Sequence, residues 1–244
     1  MGGFDQEAYQ DFALNYRSPD SRSVVGFFPK KKKLVSGRES CWYWNGRLWL
    51  DYKEPMARLA GFILDFCEDN GIMPDYFLNV PEGVNKLTDY LNAQLGGKQV
   101  QVRAKPKSHG DPRDGYFIGH VEEGDRGVLV EDVTTTGGSL VGTLKRCLAA
   151  NLDIIGTLCE CNRMELAAEG RGDERVDFDF GVEEHVASIE EKGTRHYALT
   201  DASKTVPAAF KLWTPPEGVE KASIAEGLRE EYEDHGIVKM ELTV

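Results

Sequence analysis

Gly127-Val-Leu-Val-Glu-Asp-Val-Thr-Thr-Thr-Gly-Gly-Ser139 is the stretch that decides the fold. An apolar strand runs into two carboxylates, then into a loop of small and hydroxyl residues, then into a helix. In an open parallel sheet, ligands bind at the carboxyl ends of strands. A loop that opens a helix offers free backbone N–H groups and the positive end of the helix dipole, which together suit a phosphate. Gly137 and Gly138 permit unusual backbone angles and close approach. Thr134, Thr135, Thr136 and Ser139 can add hydroxyl donors. Glu131 and Asp132 repel a phosphate, so they are better placed to accept from sugar hydroxyls or to stabilise positive charge. A capped strand–turn–helix joint is the plain alternative. It does not explain two adjacent acids placed directly before TTTGGS. The Gly-Lys-Ser/Thr ending of a Walker loop is absent.

Working outward, strand and helix patterns alternate. A helix is expected over EPMARLAGFILDFCED, stopped at Gly71. Strand YFLNV, then PEGVNKLTDYLNAQL as a loop and a helix, and strands KQVQVR and YFIGHV follow. After the central motif come helix SLVGTLKRCLAAN and strand DIIGTLCECN. This order predicts an α/β fold with a central parallel sheet flanked by helices. Residues 5–16 read as an amphipathic helix. Val24 to Phe28 form a short apolar segment, Lys30 to Lys33 read as a solvated turn, and CWYWNGRLWL reads as an aromatic strand. Beyond residue 182 a helix, strand RHYALT and two further helices are expected. The chain is read as one domain: helix and hood over 1–54, α/β core over 55–200, C-terminal helices over 201–244.

The 244 residues carry a formal net charge of -12 and are 41% hydrophobic. A normal core is affordable, and a general nucleic-acid or anionic-membrane binder is disfavoured because those need basic surfaces. No apolar run approaches the roughly 20 residues of a membrane span. The N-terminus lacks the pattern of a signal peptide. The five cysteines suit free thiols in a reducing compartment, so a cytoplasmic location is expected. Cys159 and Cys161 read as small buried strand residues rather than metal ligands.

EDVTTTGGS after GVLV resembles the 5-phosphoribosyl 1-pyrophosphate (PRPP) motif of the type I phosphoribosyltransferases. That resemblance implies a type I phosphoribosyltransferase fold with an N-terminal flap, or hood. It implies that Glu131 and Asp132 contact ribose and that Thr135 to Ser139 hold the 5-phosphate. The PRPP site is accordingly expected over Glu131, Asp132, Val133, Thr134, Thr135, Thr136, Gly137, Gly138 and Ser139.

Three further segments resemble the orotate phosphoribosyltransferases, and Pro81-Glu82-Gly83 with HGDPRDGYFIG resembles an archaeal-type branch of them. Leu34-Val-Ser-Gly-Arg-Glu-Ser-Cys-Trp-Tyr-Trp-Asn45 resembles their hood segment. This implies that Trp42, Tyr43 or Trp44 stacks on the base, with Trp44 the one assigned to orotate. Hood packing is the alternative for each. Val35 stands where the family has lysine, and Lys33 is a candidate substitute. Arg103-Ala-Lys-Pro-Lys-Ser-His-Gly110 resembles the mobile catalytic loop, which implies catalytic roles for Arg103, Lys107 and His109, alongside Asp132. Ala104 replaces a family lysine, and Lys105 is displaced by one position. Asn162-Arg163-Met164-Glu165 is similar to a segment whose arginine binds the orotate carboxylate. This gives Arg163, with Thr135, to orotate. Val80-Pro-Glu-Gly-Val-Asn-Lys86 places Glu82 where a pyrophosphate-binding lysine is usual.

The resemblance implies transfer of the phosphoribosyl group from PRPP to orotate, giving orotidine 5-phosphate and pyrophosphate. It further implies Mg²⁺ held mainly by PRPP, and a homodimer whose mobile loops serve each other's sites. The alternatives are a phosphoribosyltransferase for another base, and a regulator that binds PRPP without turnover.

Overall fold

The computed structural model describes residues 3–108, 115–170, 175–189 and 193–243. In chain order its elements are α1 (Gln6–Asn15), β1 (Val25–Lys33), β2 (Glu39–Trp44), a 3₁₀ turn (Gly46–Asp51), α2 (Lys53–Asp69), β3 (Tyr76–Asn79), α3 (Asn85–Leu95), β4 (Gln101–Val102), β5 (Phe117–Ile118), β6 (Arg126–Thr134), α4 (Gly138–Ala149), β7 (Asp153–Asn162), β8 (Leu166–Glu169), β9 (Val176–Gly181), α5 (Val182–Ala187), β10 (His196–Asp201), α6 (Ala202–Leu212) and α7 (Lys221–His235).

Strands β10, β7, β6 and β3 form the central sheet in that order, and every pairing is parallel. Side chains alternate across a strand, so each strand feeds two cores. On one face Phe77, Val128, Val130 and Leu158 pack with α1, α2, α3, α6 and α7. On the other Tyr76, Leu78, Leu129 and Ile154 pack with α4 and α5. Both faces are thus covered, as the alternating pattern predicts. Asp5 caps α1 by accepting from the Ala8 N–H at 2.9 Å. Gly71, with φ 66°, follows α2 where an L side chain would be strained.

Several elements differ from the sequence reading. Lys30 to Lys33 are not a turn. They continue β1, which pairs antiparallel with β2 (Lys32 opposite Ser40) and leaves the lysines on its exposed end. CWYWNGRLWL changes from strand to 3₁₀ turn at Gly46. The strands expected at KQVQVR and YFIGHV shrink to two residues each, paired antiparallel as β4 and β5. The β8–β9 hairpin was not expected, although Val176, Phe178 and Phe180 alternate with Asp177 and Asp179 in β9.

The hood is fastened by charge. Arg38 is buried and donates to Glu165 (3.2 Å), to the Leu166 carbonyl (2.9 Å) and to Asp177 (2.6 Å). Arg163 donates to Glu165 (2.5 Å), Glu231 (2.7 Å) and Ser40 Oγ (2.8 Å). Glu231 also accepts from the Cys41 N–H at 2.9 Å. One buried ion network therefore joins hood, core and α7.

Candidate active site

The C-terminal ends of β3 and β6 open into a cleft of about 860 Å³. Its walls come from the hood (Leu34 to Ser36, Trp44, Asn45, Arg47), from the loop after β3, and from the β6–α4 motif. Glu131, Asp132, Val133, Thr135, Thr136, Gly137, Gly138 and Ser139 all line it. The motif thus brings its residues into one place.

Local geometry explains why. β6 continues past the two acids to Thr134, because Glu131, Val133 and Thr134 stay in register with Cys159, Cys161 and Asn162. The chain then turns through Gly137, whose φ is 78°. A Cβ there would sit 3.0 Å from Val182 Cγ1. α4 starts at Gly138 without a side-chain cap, leaving its first N–H groups to the cleft. Thr136 is tied down through its carbonyl, which accepts from the Ala168 N–H at 3.1 Å. Thr134 is the exception. It is buried, with its hydroxyl 3.4 Å from both Cys159 Sγ and His196 Nε2, so it braces the core beneath the loop instead of lining the cleft.

Electrostatically the acidic end is crowded. Burial, then the neighbouring Asp132 carboxylate, pushes the Glu131 carboxyl well above the usual range. Asp132 bonds Arg47 Nε at 3.2 Å. Glu160, from β7, is also buried and raised by desolvation, then by Asp132. Glu160 Oε2 accepts the indole N–H of Trp44 at 3.0 Å. At the far end Lys145 of α4 pairs with Glu169, whose carboxyl it holds below the ordinary value.

Of the three hood aromatics, Trp44 lines the cleft. Trp42 is fully buried, with the Arg163 guanidinium 4.1 Å from its ring centroid. Tyr43 stacks on Phe28 at 4.7 Å. Neither takes the stacking role the resemblance implies.

Arg163 requires a correction. It is 2% exposed, and the ion network engages it on both sides. Burial alone would favour its neutral form, but the neighbouring carboxylates, Glu165 first and then Glu231, hold it charged. In this structure Glu165 and Glu231 engage the guanidinium, and Arg163 does not line the cleft.

Arg103 and Lys105 line a second cavity of about 470 Å³, with Glu82, Asn85, Gln101 and Ala104. It lies across the loop after β3 from the main cleft. The Lys107 backbone N–H bonds the Gly115 carbonyl at 2.9 Å. His109 lies outside the described residues. Lys33 is exposed at the end of β1 and does not line the cleft, although Val35 does, at 87% exposure.

Sequence reasoning missed Arg47, Glu160 and Lys145. Glu160 had a signal: an acid between two cysteines in a strand otherwise apolar. Arg47 had a weaker one, three residues beyond Trp44 in an aromatic run. Among the described residues no cluster of three or more His, Cys, Asp or Glu could hold a metal. No helix is long and apolar enough to cross a membrane.

No family model matches the chain. It is 34% identical over 136 residues to the orotate phosphoribosyltransferase of Pyrococcus furiosus, an alignment spanning 56% of this chain and 74% of that one. Among solved structures it resembles the orotate phosphoribosyltransferase of Francisella tularensis, with TM-score 0.59 and 17% identity over 87% of this chain and 94% of that one. It also resembles the Mycobacterium tuberculosis orotate phosphoribosyltransferase in complex with PRPP, with TM-score 0.53 and 15% identity over 83% and 99%. Those two likenesses show the fold.

Proposed function

The chain belongs to the orotate phosphoribosyltransferase family, and from that premise we propose how its residues carry the transfer from PRPP to orotate. The observation that carries the reading is the convergence of Glu131, Asp132 and the Thr135–Ser139 loop on one cleft.

PRPP lies with its 5-phosphate on the open N-terminus of α4, where N–H groups, Thr135, Thr136 and Ser139 donate. Its ribose hydroxyls donate to Asp132 and Glu131. Orotate lies against Trp44, beside Thr135. Displacement at the anomeric carbon builds positive charge on the sugar, as in glycoside hydrolysis. The two acids stabilise that charge where it develops. The base nitrogen forms the new bond and gives up its proton, with the departing pyrophosphate as acceptor, as the bond to pyrophosphate breaks, giving orotidine 5-phosphate.

Asp132 and Glu131 on the cleft wall fit Mg²⁺ held mainly by PRPP, because the ion favours substrate oxygens and water with at most one or two carboxylates. When bound it would neutralise pyrophosphate charge.

Arg103, Lys105 and Lys107 are proposed to act on pyrophosphate in a neighbouring subunit's cleft, with His109 on the same loop. Two residues of that loop, Arg103 and Lys105, line a cavity apart from the chain's own cleft, which supports this homodimeric arrangement. A cytoplasmic location suits five free, buried thiols.

The test is absorbance-monitored consumption of orotate with PRPP and Mg²⁺, with Asp132→Ala as control. Metal-dependent turnover that vanishes in the variant is expected. PRPP binding without consumption of orotate would overturn the reading and favour another base.

A further inference from the structure

Asp177, in β9, stands outside the cleft and yet holds a segment that builds it. Its Oδ1 accepts from Arg38 Nη2 at 2.6 Å, and its Oδ2 accepts from Arg175 Nη2 at 3.0 Å. Arg175 also donates to the Ser36 carbonyl at 3.3 Å. Arg38 closes the same hood turn, because its carbonyl accepts from the Leu34 N–H at 2.7 Å. Leu34, Val35 and Ser36 line the cleft, whereas Arg38, Arg175 and Asp177 do not.

The other contacts of the β8–β9 hairpin run to the phosphate loop. Arg38 donates to the Leu166 carbonyl of β8, and two residues on the Ala168 N–H bonds the Thr136 carbonyl at 3.1 Å. Val182, directly after β9, packs against the turn at Gly137. Glu169, at the end of β8, pairs with Lys145 of α4. The hairpin therefore lies between the hood turn and the loop, and it holds both.

We infer that Asp177 is a positioning residue for the PRPP site, acting through Arg38 and Arg175 to hold the hood turn against the phosphate loop. The inference rests on the PRPP reading above and adds to it a residue that touches no substrate. An ionised carboxylate accepts on both oxygens, so Asp177 fixes two guanidinium groups at once. The Arg38 side chain is only 2% exposed, so losing Asp177 leaves a buried cation with one carboxylate fewer. Arg175 loses the anchor that aims it at Ser36. Both walls of the cleft rest on the hairpin, so both substrates feel the change. A clasp that served stability alone would shift the unfolding midpoint and leave substrate affinity untouched.

The experiment measures the PRPP Kd by calorimetry, and kcat and KM for PRPP and orotate, well below each variant's unfolding temperature. The proteins are the full chain, Asp177→Asn, Asp177→Glu and Arg175→Gln. Asp20→Asn, which removes another carboxylate paired with an arginine, is the control and should match the wild type. Asp177→Asn should raise both KM values and the PRPP Kd by about 2- to 30-fold, with a smaller change in kcat. Asp177→Glu should recover part of the loss. Arg175→Gln should move the same constants in the same direction, which keeps the test open if Asp177→Asn fails to fold. Unchanged constants in folded Asp177→Asn or in Arg175→Gln overturn the inference, and so does a rise in the orotate KM alone. If the wild type binds PRPP without consuming orotate, the orotate reading falls while the PRPP Kd still decides the role of Asp177. If the wild type binds no PRPP, the function reading falls and takes this inference with it.

Discussion

Trp44 donates its indole N–H to Glu160 Oε2 at 3.0 Å, and this bond sets the wall of the cleft. A Cβ at Gly46 would come within 1.9 Å of the same oxygen, so glycine is required for the approach. Glu160→Gln keeps an acceptor for Trp44 and removes an acid whose burial disfavours its charge. Its KM for orotate should stay close to wild type, whereas Glu160→Ala should raise it. The wild-type acid binds its proton more tightly folded than unfolded. It therefore favours the folded state at low pH, and that contribution is lost as pH rises through its raised value. Urea titrations of Glu160→Gln should show less loss of stability toward alkaline pH.

Arg163→Ala should be destabilised by about 3–5 kcal/mol, because it leaves Glu165 and Glu231 buried without their cation. Glu231→Ala should fall in the same range. Denaturant midpoints measure both. If Arg163→Ala instead kept its stability and lost only orotate affinity, the structural role assigned to Arg163 would be wrong.

His196 is buried against Thr157, whose hydroxyl lies 2.8 Å from Nδ1, and desolvation lowers it from 6.5 to about 4. Its folded form stays neutral where the unfolded chain gains a proton. Stability should fall as pH drops from 6.5 toward 4, by about 2 kcal/mol between pH 7 and 5. Glu131 and Glu160 act in the opposite direction, so the comparison must be with His196→Asn. The slope that disappears in that variant belongs to His196.

Gly137→Ala combines a positive φ with a 3.0 Å approach to Val182. We expect a loss of about 1–3 kcal/mol and a raised KM for PRPP. Calorimetry and initial rates check the two effects. A variant with normal PRPP affinity would show that the loop can form without this turn.

Residues 127–139 made the sheet, the phosphate loop and the acid pair legible, because strand period, paired carboxylates and glycines coincide there. α1 and α2 were legible from their apolar spacing. Arg163 was not, because its surroundings depend on Glu231, distant in the chain and silent in local pattern. Trp42 and Trp44 look alike in sequence. Two apart on β2, they share a face; what separates them is the place of Trp44 at the strand's end, where Gly46 lets its indole reach Glu160. Lys30 to Lys33 read as a turn because charge suggests solvent, which holds equally for the exposed end of a hairpin.

The placement of Glu231 also bears on synthesis. Arg163 leaves the ribosome 68 residues ahead of the carboxylate that neutralises it. Domains tend to fold in the order they emerge, yet this guanidinium cannot be buried with both partners until α7 is complete. The nascent sheet must therefore wait with its hood unfastened.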